Sequence, residues 1–495
     1  MVELVTKNQN QLLAQQAIEL IIKTGCEYGD IRICCYRNQN LGATDLSLNQ
    51  LSDNINSGFG VRVLYRGAWG FAANSVITSE TITKTVARAV EVAKGTLLSQ
   101  RQPVRLAPVE AYIDSYVTPI LIDPFSVSVG EKAELLLSIN QGLLSYQDQG
   151  VKKAYGFLRF NREEKIFAST EGSLIEQTLY RSYGGYGCTA IANGDAQSRN
   201  YELPPLNQGY ENINKQDLLE NVERVATEAI AKVNAPDGPS GITTDLVLLP
   251  TNLWLTIHES VGHPTELDRV YGYEANFAGT SFATTDKLNK LQYAAPWINF
   301  KADRTQPGGR STLGYDDEGV PAQEWDVIKD GILVDYLTDR ETAHRLGRGS
   351  SNGSSFADSW SSLPMVRIPN LGLEPGSDGG SHTASVEEMI ADTAEGILID
   401  GIGSFSIDQQ RRNFQFGGDA FWQIKNGKVT GMLKNVTYHG MTTEFWNKIV
   451  AIGPESSWQQ WGTNMCGKGE PMQIAQMTHR CVPALVKDIH IGKHV

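Results

Sequence analysis

The sequence predicts an α+β protein, with an N-terminal mixed α/β-sheet domain over residues 1–235 and a largely antiparallel β domain over residues 236–495. Three observations carry this reading. Helix-spaced and strand-like apolar runs alternate through the first part of the chain. A Pro/Gly cluster, Ala235-Pro-Asp-Gly-Pro-Ser-Gly241, then interrupts it. Beyond the cluster, Asp330-Gly331 and Asn426-Gly427 sit between similar apolar runs and supply the positive φ angles of two-residue type I′ hairpins. With 495 residues and 41% hydrophobic content, the chain has material for more than one packed core.

In chain order, Leu13, Ala17, Leu20, Ile21 and Thr24 recur at helical spacing and stop at Gly25, after which residues 31–36 read as a strand. Residues 61–65 and 68–72 flank Arg66-Gly67 as a hairpin, and residues 81–94 have helical periodicity behind Thr78-Ser79. From 154 to 192, apolar-aromatic runs separated by turn-like Asn161-Arg162 and Glu171-Gly172 predict a meander. Leu218, Val222, Val225, Ala229 and Val233 then share one helix face, and residues 246–249 make a short buried strand. Thr338-x-x-Glu341 and Ser385-x-x-Glu388 are capping-box signals for two helix starts. Gly/Ser-rich residues 347–362 and 372–381 predict long flexible loops, read either as a lid over a site or as surface slack.

Lys+Arg 43 against Asp+Glu 56 gives a net charge of −13, and no basic cluster rises from that background, which argues against nucleic acid as a direct partner. Six Cys, at 26, 34, 35, 188, 466 and 481, are too sparse for a disulfide scaffold. Cys34 and Cys35 are strand neighbours pointing to opposite faces. No apolar leader region opens the sequence and no apolar run reaches about 18 residues, so a reducing cytoplasm and no membrane are expected.

The chemistry concentrates in His258-Glu259-Ser260-Val261-Gly262-His263, behind the apolar run 253–257. With eight His in the chain, an accidental His-Glu with a second His five residues on is roughly a 1% event. Zinc peptidase helices ordinarily space their two His at i and i+4; at i+5 the side chains of a regular α-helix diverge by about 140°, so both reach one ion only if the helix widens by a π-type turn or breaks. Gly262 and Pro264 favour such a departure. A catalytic zinc needs a third protein ligand, for which the other His, the Cys and inward carboxylates are candidates. Cys466 stands out in Asn464-Met-Cys-Gly-Lys-Gly469, where Lys468 would favour the thiolate.

Other groups read more plainly. Asp316-Asp317-Glu318 is a solvated acidic turn before it is a second metal site, and His439 and His479 are hydrogen-bonded fold residues before they are ligands. Trp458 and Trp461 read as core packing before a pocket wall. Gly349-Ser-Ser-Asn-Gly353 lacks the preceding apolar strand of a serine nucleophile elbow, and neither a Walker loop nor a complete dinucleotide fingerprint is present.

His258-Glu259-x-x-x-His263 together with Cys466-Gly467-Lys468 resembles the TldD/PmbA family of metallopeptidases, also called modulators of DNA gyrase. Glu266 and Asp268, Asp316 through Gly319, Lys329 through Leu333, Leu363 through Arg367 with Asn370, and Asn426 through Val429 extend the resemblance, as do Gly60 through Val63 and Trp69 through Ala72. Gly469-Glu470-Pro471-Met472-Gln473 departs from the family's pattern. The resemblance is to the catalytic, TldD-like type. It implies Zn2+ held by His258, His263 and Cys466, Glu259 as general base, a barrel-like C-terminal domain, and pairing as a homodimer or a heterodimer with a non-catalytic paralogue. The activity implied is hydrolysis of peptides or unfolded segments. The rival reading is a non-catalytic, metal-stabilised peptide-binding or assembly protein, against which Glu259 stands, because a structural zinc site takes four protein ligands and no base.

Overall fold

The computed structural model describes residues 7–493. Seven strands form the first sheet: β1 (Tyr28–Thr44), β2 (Ser47–Tyr65), β3 (Ala68–Asn74), β4 (Ile113–Val117), β5 (Val151–Ser169), β6 (Leu174–Ala192) and β7 (Asp195–Glu202). Their order is β3-β2-β1-β5-β6-β4, with β7 also on β6. Only β4 runs parallel to its neighbour. Helices α1 (Lys7–Ile22) and α2 (Ser79–Thr96) bury Ala17, Ile21, Val86 and Ala89 against Ile31, Ile33, Val61 and Val63. Helix α3 (Val129–Leu144), the short α4 (Lys215–Glu220) and α5 (Val222–Asn234) cover a second cluster around Leu158 and Tyr186. Arg66 and Gly67 both have positive φ, the type I′ geometry that their hairpin needs.

Asn161-Arg162 is not a turn. Both residues lie inside β5, with Asn161 opposite Asn38 on one side and Arg181 on the other. Their polarity has another cause: Asn161 accepts from Arg181 at 2.7 Å and donates to Asn38 at 2.8 Å, on a sheet region whose neighbouring side chains reach the second half of the molecule. Glu171-Gly172 does turn the chain, Gly172 with φ +101.

Strand β8 (Ile242–Leu248) starts the second half and lies centrally in a nine-stranded sheet, antiparallel to Ala484–Lys493 and parallel to Glu395–Asp400. This sheet is mainly antiparallel. Its order runs from Phe405–Ile407 at one end to Lys428–Leu433 at the other, and no pairing among the described residues joins those ends. A four-stranded sheet, containing Asn370–Leu373, and the hairpin Gln459–Lys468 with Gln473–Cys481 pack on the same large core. Asp330-Gly331 and Asn426-Gly427 form the expected positive-φ pairs.

Ser385 and Glu388 make the capping box read from the sequence. The other box shifts by one residue. Asp339 caps Arg340–Arg345 with Thr342, because the Thr338 amide and hydroxyl both donate to Asn352 at 2.9 Å. Residues 347–362 are not slack either. Ser351, Asn352, Ser354 and Ser355 are buried, and the Trp360 ring lies so close to Gly58 that a Cβ there would approach within 2.4 Å.

The Asp316-Asp317-Glu318 run is buried, not solvated. Arg62 bridges Glu318 at 2.9 Å and Asp30 at 2.7 Å, and Lys165 bridges Asp317 at 2.7 Å and Glu163 at 2.9 Å. Asp316 accepts from the amides of Glu318, Val320 and Ser355. Carboxylates so committed to cations and amides across the two halves serve the fold.

Candidate metal centre

Pro250 opens helix α6 (Pro250–Ile257) at a position where its missing N–H leaves no bond unmade. Leu253, Trp254, Leu255 and Ile257 are buried in the large core and fix the helix in place. Over His258–Gly262 the helix widens into a π turn, with the His263 N–H donating to the His258 carbonyl. One such turn brings residues i and i+5 to one side, and the two imidazole centroids stand 4.7 Å apart. This is the departure expected from the spacing if both His share one ion. Neighbours take up the carbonyls that a π turn displaces: the Thr265 hydroxyl lies 2.8 Å from the Val261 oxygen and the Tyr293 hydroxyl donates to Ser260. Gly262 is needed for closeness, since a Cβ there would stand 2.8 Å from Ile368.

Cys466 arrives on the strand Gln459–Lys468, opposite Ala475. Its sulfur is 3.5 Å from His263 Nε2, and His258, His263 and Cys466 each present a donor atom within 4.8 Å of the other two. Tetrahedral zinc, with Zn–N near 2.0–2.1 Å and Zn–S near 2.3 Å, separates a nitrogen and a sulfur donor by roughly 3.6 Å. The donor set fits that ion. Among the described residues this is the sole convergence of potential metal ligands.

Hydrogen bonds select the tautomers. His479 Nδ1 donates to the Leu371 carbonyl at 2.7 Å, which leaves its Nε2 to accept from His258 Nδ1 at 2.9 Å. His258 therefore keeps the Nε2 lone pair for a ligand. His263 Nδ1 likewise donates to Glu266 at 2.8 Å, freeing Nε2 toward Cys466. Burial pushes His258 down to about 4, against the opposing pull of Glu259, and lowers His263 despite Cys466 and Glu266. Both rings are neutral near pH 7, the form that binds metal.

Burial opposes ionisation of the Cys466 thiol, yet the thiol lies below its ordinary value, with the Arg367 guanidinium the largest opposing influence. The sequence pointed to Lys468 for this task. Lys468 is instead committed to Glu266 at 3.1 Å, Asp268 at 2.8 Å and the Val366 carbonyl at 2.7 Å, while Arg367 donates to the Cys466 carbonyl at 2.5 Å. Burial would raise the Glu266 carboxyl, but Lys468 and His263 drive it well below the usual carboxylate range.

Glu259 follows His258 in the π turn and pairs through Oε2 with Arg411 Nη1 at 2.7 Å. Arg411 has φ +63 in a loop pinned by Asp408, which accepts from the amides of Gln410, Arg412 and Asn413. Nothing in Arg411-Arg412 as sequence signals this contact. His479 is a hydrogen-bonded fold residue, as expected, but its partner is a candidate ligand. His439 lies away from the centre, near Thr437 on its own strand. Trp458 packs beneath Arg480, and Trp461 does more than fill core: with Trp254 and Met465 it walls a cavity of ≈ 670 Å³ between the first sheet and the strand that carries Cys466.

The chain matches family models described as PmbA/TldA metallopeptidase domain 1 over residues 29–93, central domain over 122–235 and C-terminal domain over 242–492. A metalloprotease of Methanocaldococcus jannaschii is 28% identical over 462 residues, covering 92% of this chain and 95% of the relative. A zinc metalloprotease TldD homolog of Saccharolobus solfataricus is 22% identical over 95% of this chain and 98% of its own. The crystal structure of a proposed DNA gyrase modulator from Thermotoga maritima superposes with a TM-score of 0.76 at 20% identity, covering 98% of this chain and 100% of that one, a likeness of fold alone. With three domains matched in order, the last spanning the candidate centre and half of the sequence, the chain belongs to the PmbA/TldD family of metallopeptidases.

Proposed function

We propose that this protein is a zinc-dependent peptidase that hydrolyses peptides or unfolded segments, with His258, His263 and Cys466 holding the ion and Glu259 as general base. The observation that carries the proposal is the approach of three donor atoms within 4.8 Å, two from the His that begin and follow a π turn bearing Glu259 and one from Cys466 on the facing strand. The name of the Saccharolobus relative supports zinc over other ions. When bound, zinc polarises a carbonyl and lowers the pKa of a coordinated water toward about 7.

The chain's own residues supply the rest. His479 and Glu266 hold the two imidazoles in the tautomer that offers Nε2. Arg367 favours the thiolate of Cys466 over the thiol. Arg411 fixes the Glu259 carboxylate through one oxygen, and Glu259 takes a proton from the attacking water and returns it to the departing amine. Trp254, whose ring meets that of His258 edge-on, and half-buried Trp461 wall the neighbouring cavity with apolar surface suited to extended peptide side chains. The six cysteines are free, which suits a reducing cytoplasm, and no helix among the described residues is long and apolar enough to cross a membrane.

Peptide cleavage and metal content of the purified protein, with and without chelator, test this. Glu259→Gln is expected to retain zinc and lose at least about 10²-fold in turnover. A variant that keeps both zinc and full turnover removes Glu259 from the role. A protein that binds zinc and cleaves no peptide under any condition is the metal-stabilised binding protein of the rival reading.

A further inference from the structure

On the outer side of the Cys466 hairpin lies a second cavity, of ≈ 310 Å³, between the first sheet and the loop after Phe300–Asp303. Ile474 and Gln476 line it, whereas Ala475, which pairs with Cys466, does not; alternation along the strand puts the cavity and the metal centre on opposite faces. Three arginines converge on this space: Arg181 from β6, and Arg304 and Arg310 from the loop.

Arg304 and Arg310 are 1% and 4% exposed, yet neither forms an ion pair among the described residues. Each guanidinium carries five N–H donors. Arg304 reaches only the Ser311 carbonyl at 3.5 Å, Arg310 the Leu206 carbonyl at 3.0 Å, and both Nε groups are buried without an acceptor. Buried arginines elsewhere divide into two kinds: Arg62 holds Asp30 and Glu318 and Arg199 holds Asp400, Asp419 and Glu228, whereas, among the described residues, Arg32 and Arg367 bond backbone carbonyls alone but line no such cavity. The acids lining this cavity are already engaged, Glu163 by Lys165 and Arg181, Asp358 by Ser362 and the Ile474 amide. Burial and the neighbouring Arg181 push Arg310 well below its ordinary value, the mark of a cation lacking a counter-charge.

We propose that this cavity is an oxyanion site, in which Arg304 and Arg310 bind the carboxylate or phosphate of a small ligand with Arg181 at its edge. A planar guanidinium fork matches either group in bidentate fashion, and the volume admits a ligand of a few heavy atoms beyond the anion itself. The site is separate from the metal centre and does not depend on peptidase activity.

Orthophosphate and succinate, titrated calorimetrically into the full chain at constant ionic strength set by chloride, distinguish the two sources. Saturable binding of one per chain by either is expected, weakened at least tenfold by Arg304→Gln and by Arg310→Gln and unchanged by the exposed-site control Arg88→Gln. Absence of saturation by both anions at about 10 mM, or binding that survives both loop substitutions, overturns the proposal; the latter result would assign the anion to the metal. If either variant fails to fold, hydrogen exchange on the unaltered protein decides. Anion-dependent protection at 304–313 and 474–476 supports the site, and protection confined to other segments overturns it.

Discussion

His479 shows how a residue remote in sequence sets the chemistry of a candidate ligand. Its ring lies stacked on Trp254 at 6.1 Å and is fixed by the Leu371 carbonyl, so it can only accept from His258 Nδ1. His479→Ala removes that acceptor and leaves His258 free to rotate or change tautomer. Loss of a partner of this kind typically costs 10–100-fold in metal affinity. We therefore expect the variant to fold, as judged by circular dichroism, and to surrender zinc to a competing chelator at about 10–100-fold lower chelator concentration. His439→Ala, away from the centre, is expected to behave as the parent does. Equal zinc retention by the two variants would remove His479 from the centre.

Among the elements, the π turn is legible in the sequence and the continuity of β5 through Asn161-Arg162 is not. Two His five residues apart are compatible with one ion only on a widened helix, so the local geometry followed from the ligand hypothesis and held as His258–Gly262. Asn161-Arg162 instead looked like a break because polar residues in a strand usually mean solvent or a turn, whereas here they meet polar partners from strands and loops distant in sequence. The same blindness hid the Asp316-Asp317-Glu318 contacts: Arg62 and Lys165 lie more than 150 positions away. Glu163 allows this network to be tested. Burial alone would raise its carboxyl, but Lys165 and then Arg181 outweigh burial and hold it at about 2, against 4.5 unperturbed. A depressed carboxyl contributes stability above its unfolded pKa and loses it as pH falls through the folded value, so the loss runs from about pH 4.5 to about pH 2. The shift corresponds to about 3 kcal/mol. Urea midpoints at pH 5 and pH 3 should converge for Glu163→Gln relative to the parent; an undiminished acid loss in the variant would show that the pairing carries no linkage.

At the scale of the whole molecule, an ion held by His258, His263 and Cys466 would join positions about 200 residues apart, so the second half should be less stable without it. Chelation is expected to lower the thermal midpoint, and Cys466→Ser to lower the chelator's effect. Access then limits what the centre can act on. His258, Glu259 and Cys466 are 4%, 6% and 6% exposed, so a substrate that reaches them must enter as extended chain rather than as a folded surface. A folded protein keeps its scissile bonds within secondary structure and presents no such strand. Family membership adds the expectation of pairing, with a second copy or with a non-catalytic paralogue, and a dimer that encloses the centre would narrow access further. Exposed Leu46, Leu48, Leu51 and Ile55 at the β1–β2 end offer apolar surface for a neighbouring subunit. Light scattering at micromolar concentration should therefore report a dimer, alone or after mixing with such a paralogue. Reduced, carboxymethylated substrate should be cut at least tenfold faster than the same protein in its native, disulfide-bonded state. A strict monomer in both scattering experiments would end the pairing argument, and equal rates on native and unfolded substrate would end the access argument.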